Sequence, residues 1–112
     1  MGEKSHSVVF VDDSARKEYD RLESTPEKWL KPHIDRAFDR LKEDPSCGTA
    51  VPKRLIPEEY WRMGANNLWK YNLPNAWRLL YFVKMDQVSI IAVVLEWLDH
   101  KSYEKKFGYR VQ

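Results

Sequence analysis

The second half of this sequence holds five side chains with the chemistry needed to cut RNA. They are Lys70, Arg78, His100, Lys101 and Tyr103. RNA can supply its own nucleophile, the 2′-hydroxyl, so an enzyme has only to orient that oxygen, move protons and neutralise charge on the phosphate. Lysine, arginine, histidine and tyrosine suffice for these tasks. Arg78 in particular could hold a phosphate through its planar guanidinium.

Each of these residues also has a purely structural interpretation. Lys70 could be a solvated lysine on a strand, and Arg78 could pair across the sheet with Glu96. The three residues at 100, 101 and 103 could simply begin a surface helix. The occurrence of all five together is more informative than any one of them, so the elements that position them matter.

A predicted hairpin around Pro74–Asn75 decides whether the cations share a surface. Side chains alternate along a strand, and the aromatic-rich alternate set is expected to face the core. That set is Trp69, Tyr71, Leu73, Trp77, Leu79, Tyr81 and Val83. The arrangement sets Asn72 opposite Arg78 across a loop of residues 74–76, and it brings both to the face of Lys70. A shift by one residue would bury Arg78 and separate it from Lys70.

The first half of the chain predicts a strand and two helices. Ser7–Val11 is β-branched and typical of a strand. Apolar residues at helical spacing predict a helix from Ser14 to about Leu22. Thr25–Glu27 can start a second helix, which ends at Asp44–Pro45. Its regular part should begin near Pro32, because proline is poorly tolerated in a helix interior.

A long connector over residues 44–66 follows, rich in proline and glycine and mostly irregular. Loops of this length are often functional. Lys53 and Arg54 add positive charge there and are candidate RNA contacts, together with Asn72. Glu58–Arg62 predicts a single helical turn.

The last part predicts a central strand and a short helix. Val88–Trp97 is apolar on both faces, which is typical of a strand inside a sheet. Asp99 can cap a helix from His100 to about Phe107, with Gly108 at its end. The order predicts one α+β domain over residues 1–112. It would be a small antiparallel sheet with the helical hairpin on one face, the basic residues on the other, and a short C-terminal helix.

Composition limits the classes of function. The chain has 112 residues, 43% hydrophobic and 32% charged, typical of a soluble globular domain. It has no apolar run of membrane-spanning length and no signal-peptide pattern, and its lone Cys47 agrees with a reducing compartment, so we expect a cytoplasmic protein. The histidines are far apart and Cys47 has no partner at metal-binding spacing, which disfavours a metal site. The glycines are isolated, so no nucleotide loop or other cofactor is expected.

Charge is unevenly distributed. Residues 51–112 hold 10 Lys and Arg against 6 Asp and Glu, whereas residues 1–50 hold 9 against 11. The basic half coincides with the hairpin, which favours an interaction with nucleic acid.

The segment Leu73–Tyr81, the apolar strand after it and Asp99–Glu104 together resemble the core of the RelE/ParE toxin superfamily. The most specific part is aromatic-Arg-Leu-x-Tyr at 77–81. These proteins are the toxins of type II toxin–antitoxin pairs, with an N-terminal strand, a helical hairpin, three or more antiparallel strands and a short C-terminal helix. The resemblance covers most of residues 7–107.

The RelE branch implies ribosome-dependent cleavage of mRNA without a metal. Arg78 matches the family's phosphate-binding arginine, and Lys70 corresponds to a lysine on the preceding strand. Lys101, beside His100, falls where the family usually has a catalytic arginine. Tyr103 lies near the family's stacking tyrosine, for which Tyr109 is the other candidate. Two departures are a lysine in place of that arginine and Asp99 in place of glycine.

Three functions remain open from the sequence. The first is a ribosome-dependent mRNA endoribonuclease (an mRNA interferase). The second is a ParE-like inhibitor of DNA gyrase, and the third is a non-catalytic RNA- or protein-binding domain of the same fold. Each of the two toxin hypotheses implies a cognate antitoxin as a partner. The first also implies that the substrate is mRNA bound to the ribosome.

Overall fold

A five-stranded mixed sheet forms the centre of the protein, in a computed structural model that describes residues 4–108. The strands are β1 (Ser5–Phe10), β2 (Thr49–Ala50), β3 (Trp69–Asn72), β4 (Arg78–Met85) and β5 (Ser89–Leu98), in the order β1-β5-β4-β3-β2. The α-helices are α1 (Asp13–Arg21), α2 (Leu30–Glu43), α3 (Glu58–Arg62) and α4 (His100–Phe107). The predicted α+β class and the N- and C-terminal helices are confirmed.

One pairing makes the sheet mixed instead of fully antiparallel. β1 runs parallel to β5, with Ser5 opposite Ser89 and Phe10 opposite Val94. A parallel pair needs a long crossover between its strands. Helices α1 and α2 begin that crossover, and β2, β3 and β4 complete it.

The helical hairpin forms for local reasons that the sequence contains. The Asp12 carboxylate caps α1 by accepting a hydrogen bond of 2.9 Å from the Ala15 amide. A 3-10 turn over Pro26–Trp29 precedes α2, so the regular helix starts at Leu30. Pro32 therefore lies in the first turn of α2, where a missing N–H leaves no hydrogen bond unmade. The predicted start of the regular helix near Pro32 is confirmed.

The sheet has a core on each of its faces. On the first, α2 buries Leu30, Ile34, Ala37 and Leu41 against Leu79, Tyr81 and Val94 of the sheet. On the second, the connector and α4 supply Val51, Ile56, Tyr60, Leu68, Tyr103 and Phe107, which pack on Leu80, Phe82, Val93 and Leu95. The sequence predicts that the second face is open and carries the basic residues. It is largely covered instead, because β4 and β5 present apolar side chains on both sides.

The hairpin between β3 and β4 has the predicted register. Asn72 lies opposite Arg78 and Trp69 opposite Tyr81. The Leu73 amide donates to the Trp77 carbonyl at 2.8 Å and closes the loop over Pro74–Ala76. Trp69, Tyr71 and Trp77 pack against the first core, as the aromatic segregation predicted.

Ala76 gives the hairpin loop a measurable strain. Its φ angle is 64°, in the left-handed region that disfavours any residue with a Cβ. We expect Ala76→Gly to raise the free energy of unfolding by about 0.5–1 kcal/mol, since glycine relieves the strain at some cost in chain entropy. Urea unfolding measures the change. Ala50→Gly, in β2, is the control and should destabilise; equal losses for both variants would contradict the assignment.

Candidate functional site

Lys70 and Arg78 converge on one aromatic ring. Both are half-buried and project from paired strands, β3 and β4, to the second face of the sheet. The Lys70 Nζ lies 5.4 Å and the Arg78 Cζ 4.8 Å from the centre of the Tyr103 ring on α4. Three of the five predicted catalytic residues, Lys70, Arg78 and Tyr103, are therefore together. Arg78, the residue with the most specific predicted role, lies on β4.

The Arg78 guanidinium has an unusual set of contacts. Its Nη1 donates to the Ala76 carbonyl at 2.5 Å, whereas its buried Nε has no hydrogen-bond partner among residues 4–108. In the same part of the chain, no carboxylate forms an ion pair with it. The alternative pairing of Arg78 with Glu96 does not form, because Arg78 lies opposite Leu98 and Glu96 binds other groups. A guanidinium without a carboxylate beside it retains its attraction for phosphate.

A β-bulge explains where Glu96 points. In the β4–β5 ladder, Leu80 lies opposite Glu96 but Tyr81 lies opposite Val94, so Leu95 is an extra residue on β5. Simple alternation from Val94 would send Glu96 into the apolar core beneath α2. The bulge shifts the phase of the strand and turns the carboxylate to the second face.

A network centred on Glu96 fixes α4 to the sheet. The carboxylate accepts hydrogen bonds from the Tyr60 hydroxyl at 2.6 Å and from the Lys106 Nζ at 2.9 Å. Lys106 also binds Glu59 at 2.7 Å. Burial, and then the bond to Glu96, raises the pKa of Tyr60. Burial alone would lower the pKa of Lys106, but hydrogen bonds to Glu59 and Glu96 outweigh it and raise that pKa. Tyr60 thus remains a donor and Lys106 a cation at neutral pH.

The other predicted residues lie apart from the Tyr103 ring. His100 and Lys101 are exposed in the first turn of α4, and the His100 Nε2 lies 3.2 Å from the Glu104 carboxylate. Lys53 and Arg54 are exposed on a 3-10 turn of the connector, at Lys53–Leu55.

Two further predicted contacts complete the set. Asn72 is exposed opposite Arg78 and belongs to the same patch of the sheet. Tyr109 lies outside the described residues.

The loop before β2 is held against the sheet next to Lys70. β2 pairs with β3 through Thr49, which lies opposite Lys70. The Tyr81 hydroxyl donates to the Pro45 carbonyl at 2.8 Å and accepts from the Gly48 amide at 3.1 Å. Burial raises the pKa of Tyr81, so its proton stays available for this bond. A core tyrosine therefore holds the connector against the strand that carries Lys70.

Asp99 caps α4 and makes the helix sensitive to acid. Its carboxylate accepts from the Ser102 amide at 2.8 Å, and the hydrogen bonds from Ser102 lower its pKa. We expect Asp99→Ala to cost about 1 kcal/mol of unfolding free energy at pH 7. Asp99→Asn should cost less, because it keeps an acceptor.

The pH dependence of this cap has a definite sign. A carboxylate with a lowered pKa in the folded state stabilises it at pH values above the unfolded pKa of about 3.9. The stabilisation is lost as the pH falls through the folded pKa. Wild-type protein should therefore be more stable than Asp99→Asn at pH 7 and lose that advantage in acid. Urea unfolding at several pH values from 7 downwards measures this, and a difference that did not shrink as the pH fell would contradict it.

Sequence reasoning missed the Glu96 network and the burial of Tyr103. Glu96 had a usable signal, because one charge in an otherwise apolar strand needs a partner. Tyr103 and Phe107 also had one, since their i, i+4 spacing marks the buried stripe of α4. Their rings stack with centres 4.4 Å apart, and Tyr103 is 1% exposed.

Two further observations concern the described part of the chain. Among residues 4–108, no helix combines the length and apolar composition needed to cross a bilayer. In the same range, no group of three or more His, Cys, Asp or Glu side chains is arranged to hold a metal ion.

Comparisons of the chain with protein-family models, with curated proteins and with solved structures find no match.

Proposed function

We propose that this protein is a cytoplasmic RelE-like toxin of a type II toxin–antitoxin pair, which cleaves mRNA on the ribosome without a metal. The observation that carries the proposal is the convergence of Lys70 and Arg78 over the Tyr103 ring. Two cations over the same ring form a site for a group with more than one negatively charged oxygen, such as a phosphodiester in its transition state.

The observed hairpin and helices also support the proposal. The resemblance to the RelE/ParE superfamily implies that the matching arginine faces substrate, and the register of β3 and β4 puts Arg78 beside Lys70 and Asn72. The order of elements is the one that the family implies. Arg78 would clamp phosphate oxygens and Lys70 would neutralise developing charge. His100 and Lys101, exposed in the first turn of α4, are the residues proposed for proton transfer.

The arrangement of His100 favours a second candidate, a non-catalytic RNA-binding domain. His100 pairs with Glu104 on the exposed side of α4, whereas Tyr103 faces the sheet. A proton-transfer group separated from the two cations would leave a site that binds RNA without cutting it.

The experiment that separates the candidates combines expression and reconstitution. Expression of the wild-type protein should arrest translation, and mapping of RNA ends should show cuts within codons. Purified protein should cut mRNA on programmed ribosomes in the presence of a chelator, and Arg78→Ala should not. Salt-sensitive RNA affinity without any cut would favour the binding domain. A DNA-damage response without mRNA cleavage would instead support gyrase inhibition and overturn the proposal.

The same proposal implies a cognate antitoxin that neutralises the toxin. Co-expression of the small acidic protein encoded by an adjacent gene should restore growth and form a stable complex with the toxin. Failure of every adjacent gene to do so would count against a toxin–antitoxin pair.

A further inference from the structure

The Tyr103 ring has a neighbour on each of its faces. The Phe107 ring stacks on it with an interplanar angle of 27° and a centre-to-centre distance of 4.4 Å, which occupies one face. The Arg78 and Lys70 cations therefore lie over the opposite face. With 1% of the residue exposed, Tyr103 offers no free face to a nucleotide base in this arrangement.

The ring counters the repulsion between the two cations. A cation over an aromatic face is attracted by the negative charge of that face, and the attraction strengthens as water is excluded. Free lysine and arginine side chains have many rotamers, and holding both in one geometry opposes that freedom. A shared ring makes this geometry favourable for both side chains before any ligand arrives.

The position of the ring is itself fixed from several sides. Phe107 supports it from below, and Lys106 holds the same helix to Glu96 and Glu59. Lys106 also lies 5.4 Å from the centre of the Tyr60 ring, which in turn packs against Phe107. Residues of the connector, β5 and α4 thus contact one another next to Tyr103.

We propose that Tyr103 is a positioning residue whose buried ring holds Lys70 and Arg78 in one arrangement for a phosphodiester, and that it does not contact the RNA. The nature of the ligand rests on the proposed function. The arrangement of the two cations does not, so the test has one measurement that needs no activity.

That measurement is NMR of the free, full-length protein. The Arg78 Nε–H and the Lys70 side-chain methylene signals should be shifted upfield by the ring current of Tyr103. Tyr103→Phe should keep these shifts and Tyr103→Leu should lose them. Phe82→Leu removes an aromatic ring from the same core and is the matched control, which should lower stability but keep both shifts. Unchanged shifts in a folded Tyr103→Leu variant would overturn the proposal.

The activity measurement separates the ring from the hydroxyl. In cleavage on programmed ribosomes, Tyr103→Leu should lower kcat/KM by about tenfold or more, and Tyr103→Phe should restore most of it. An equal loss in both variants would assign the role to the hydroxyl and overturn the proposal. If the wild type binds RNA without cutting, anisotropy with a fluorescent single-stranded oligoribonucleotide replaces kcat/KM, with the same ranking expected.

A third set of variants avoids any problem of folding. Phenylalanines with increasing numbers of fluorine atoms, incorporated at position 103, keep the shape of the ring while weakening the negative charge of its face. Affinity or kcat/KM should fall steadily along the series at constant melting temperature. A flat series would show that the ring does not hold the cations through its face.

Discussion

The Arg78→Ala variant is expected to lose mRNA cleavage by about 100-fold or more while remaining folded. Removing one preorganised donor to a developing oxyanion typically costs about 10²–10³ in kcat. In the proposed mechanism Arg78 is the principal group on the phosphate, and its guanidinium has no carboxylate partner among the described residues to reduce its charge. The measurement is kcat and KM for cleavage of mRNA on programmed ribosomes.

The stability of this variant should change little. Loss of the cation–π contact with Tyr103 and of the hydrogen bond to the Ala76 carbonyl together costs about 1–3 kcal/mol. Removal of a buried Nε without an acceptor returns roughly 1–3 kcal/mol. The two effects are similar in size and opposite in sign, so the free energy of unfolding should stay within about 1 kcal/mol of wild type. Lost activity can then be attributed to the site.

Two variants control this result. Lys84→Ala removes a cation from an exposed position on the same strand, six residues and about 20 Å away, and should leave cleavage unchanged. Arg78→Lys keeps the charge but loses the planar fork, so it should be intermediate. Full activity in Arg78→Ala, or an equal loss in Lys84→Ala, would remove Arg78 from its proposed role.

The second large effect is expected from Gly48→Ala. A Cβ built on Gly48 would lie 2.7 Å from the Lys70 carbonyl oxygen and 2.7 Å from the Tyr81 hydroxyl. The carbonyl belongs to β3 and has little freedom to move, so β2 must separate from β3. Overpacking and the loss of the Gly48–Tyr81 hydrogen bond together should cost about 2–3 kcal/mol. Urea unfolding measures the loss.

A double-mutant cycle identifies the cause of this loss. Tyr81→Phe removes one of the two close contacts as well as the hydrogen bonds of the hydroxyl. Gly48→Ala should therefore cost about 1 kcal/mol less in the Tyr81→Phe background than in wild type. Additive losses would mean that the hydroxyl and the new methyl group do not meet. Ser46→Ala, an exposed change in the same loop, should have a small effect.

The hairpin register could be predicted because its information is local. Segregation of the aromatic residues onto one face of β3 and β4 leaves one pairing that buries them, and that pairing sets Asn72 opposite Arg78. The cap of α4 was equally local, since Asp99 precedes a helical pattern. Where a short stretch of the chain determines the local structure, the types and spacing of its residues were sufficient to predict it.

The rest depended on contacts between distant parts of the chain. The connector has no periodicity, so the sequence did not show that Val51, Ile56 and Tyr60 would cover the second face. The bulge at Leu95 shifts the phase of β5 by one residue, which simple alternation does not anticipate. Tyr103 is buried because α4 packs on the surface formed by the connector and by the second face of β5 after the bulge.

The parallel pairing of β1 with β5 ties the assembly of this protein to the order of its synthesis. Ser5–Phe10 leaves the ribosome early, but its partner residues at 89–94 are made much later. Contacts so far apart in sequence form slowly, and an unpaired strand is prone to aggregate while it waits. Arg78 and Lys70 likewise lack their ring until α4 has been made and docked. A nascent or prematurely released chain thus carries the cations of the site without their arrangement, which would leave incomplete copies of the proposed toxin inert.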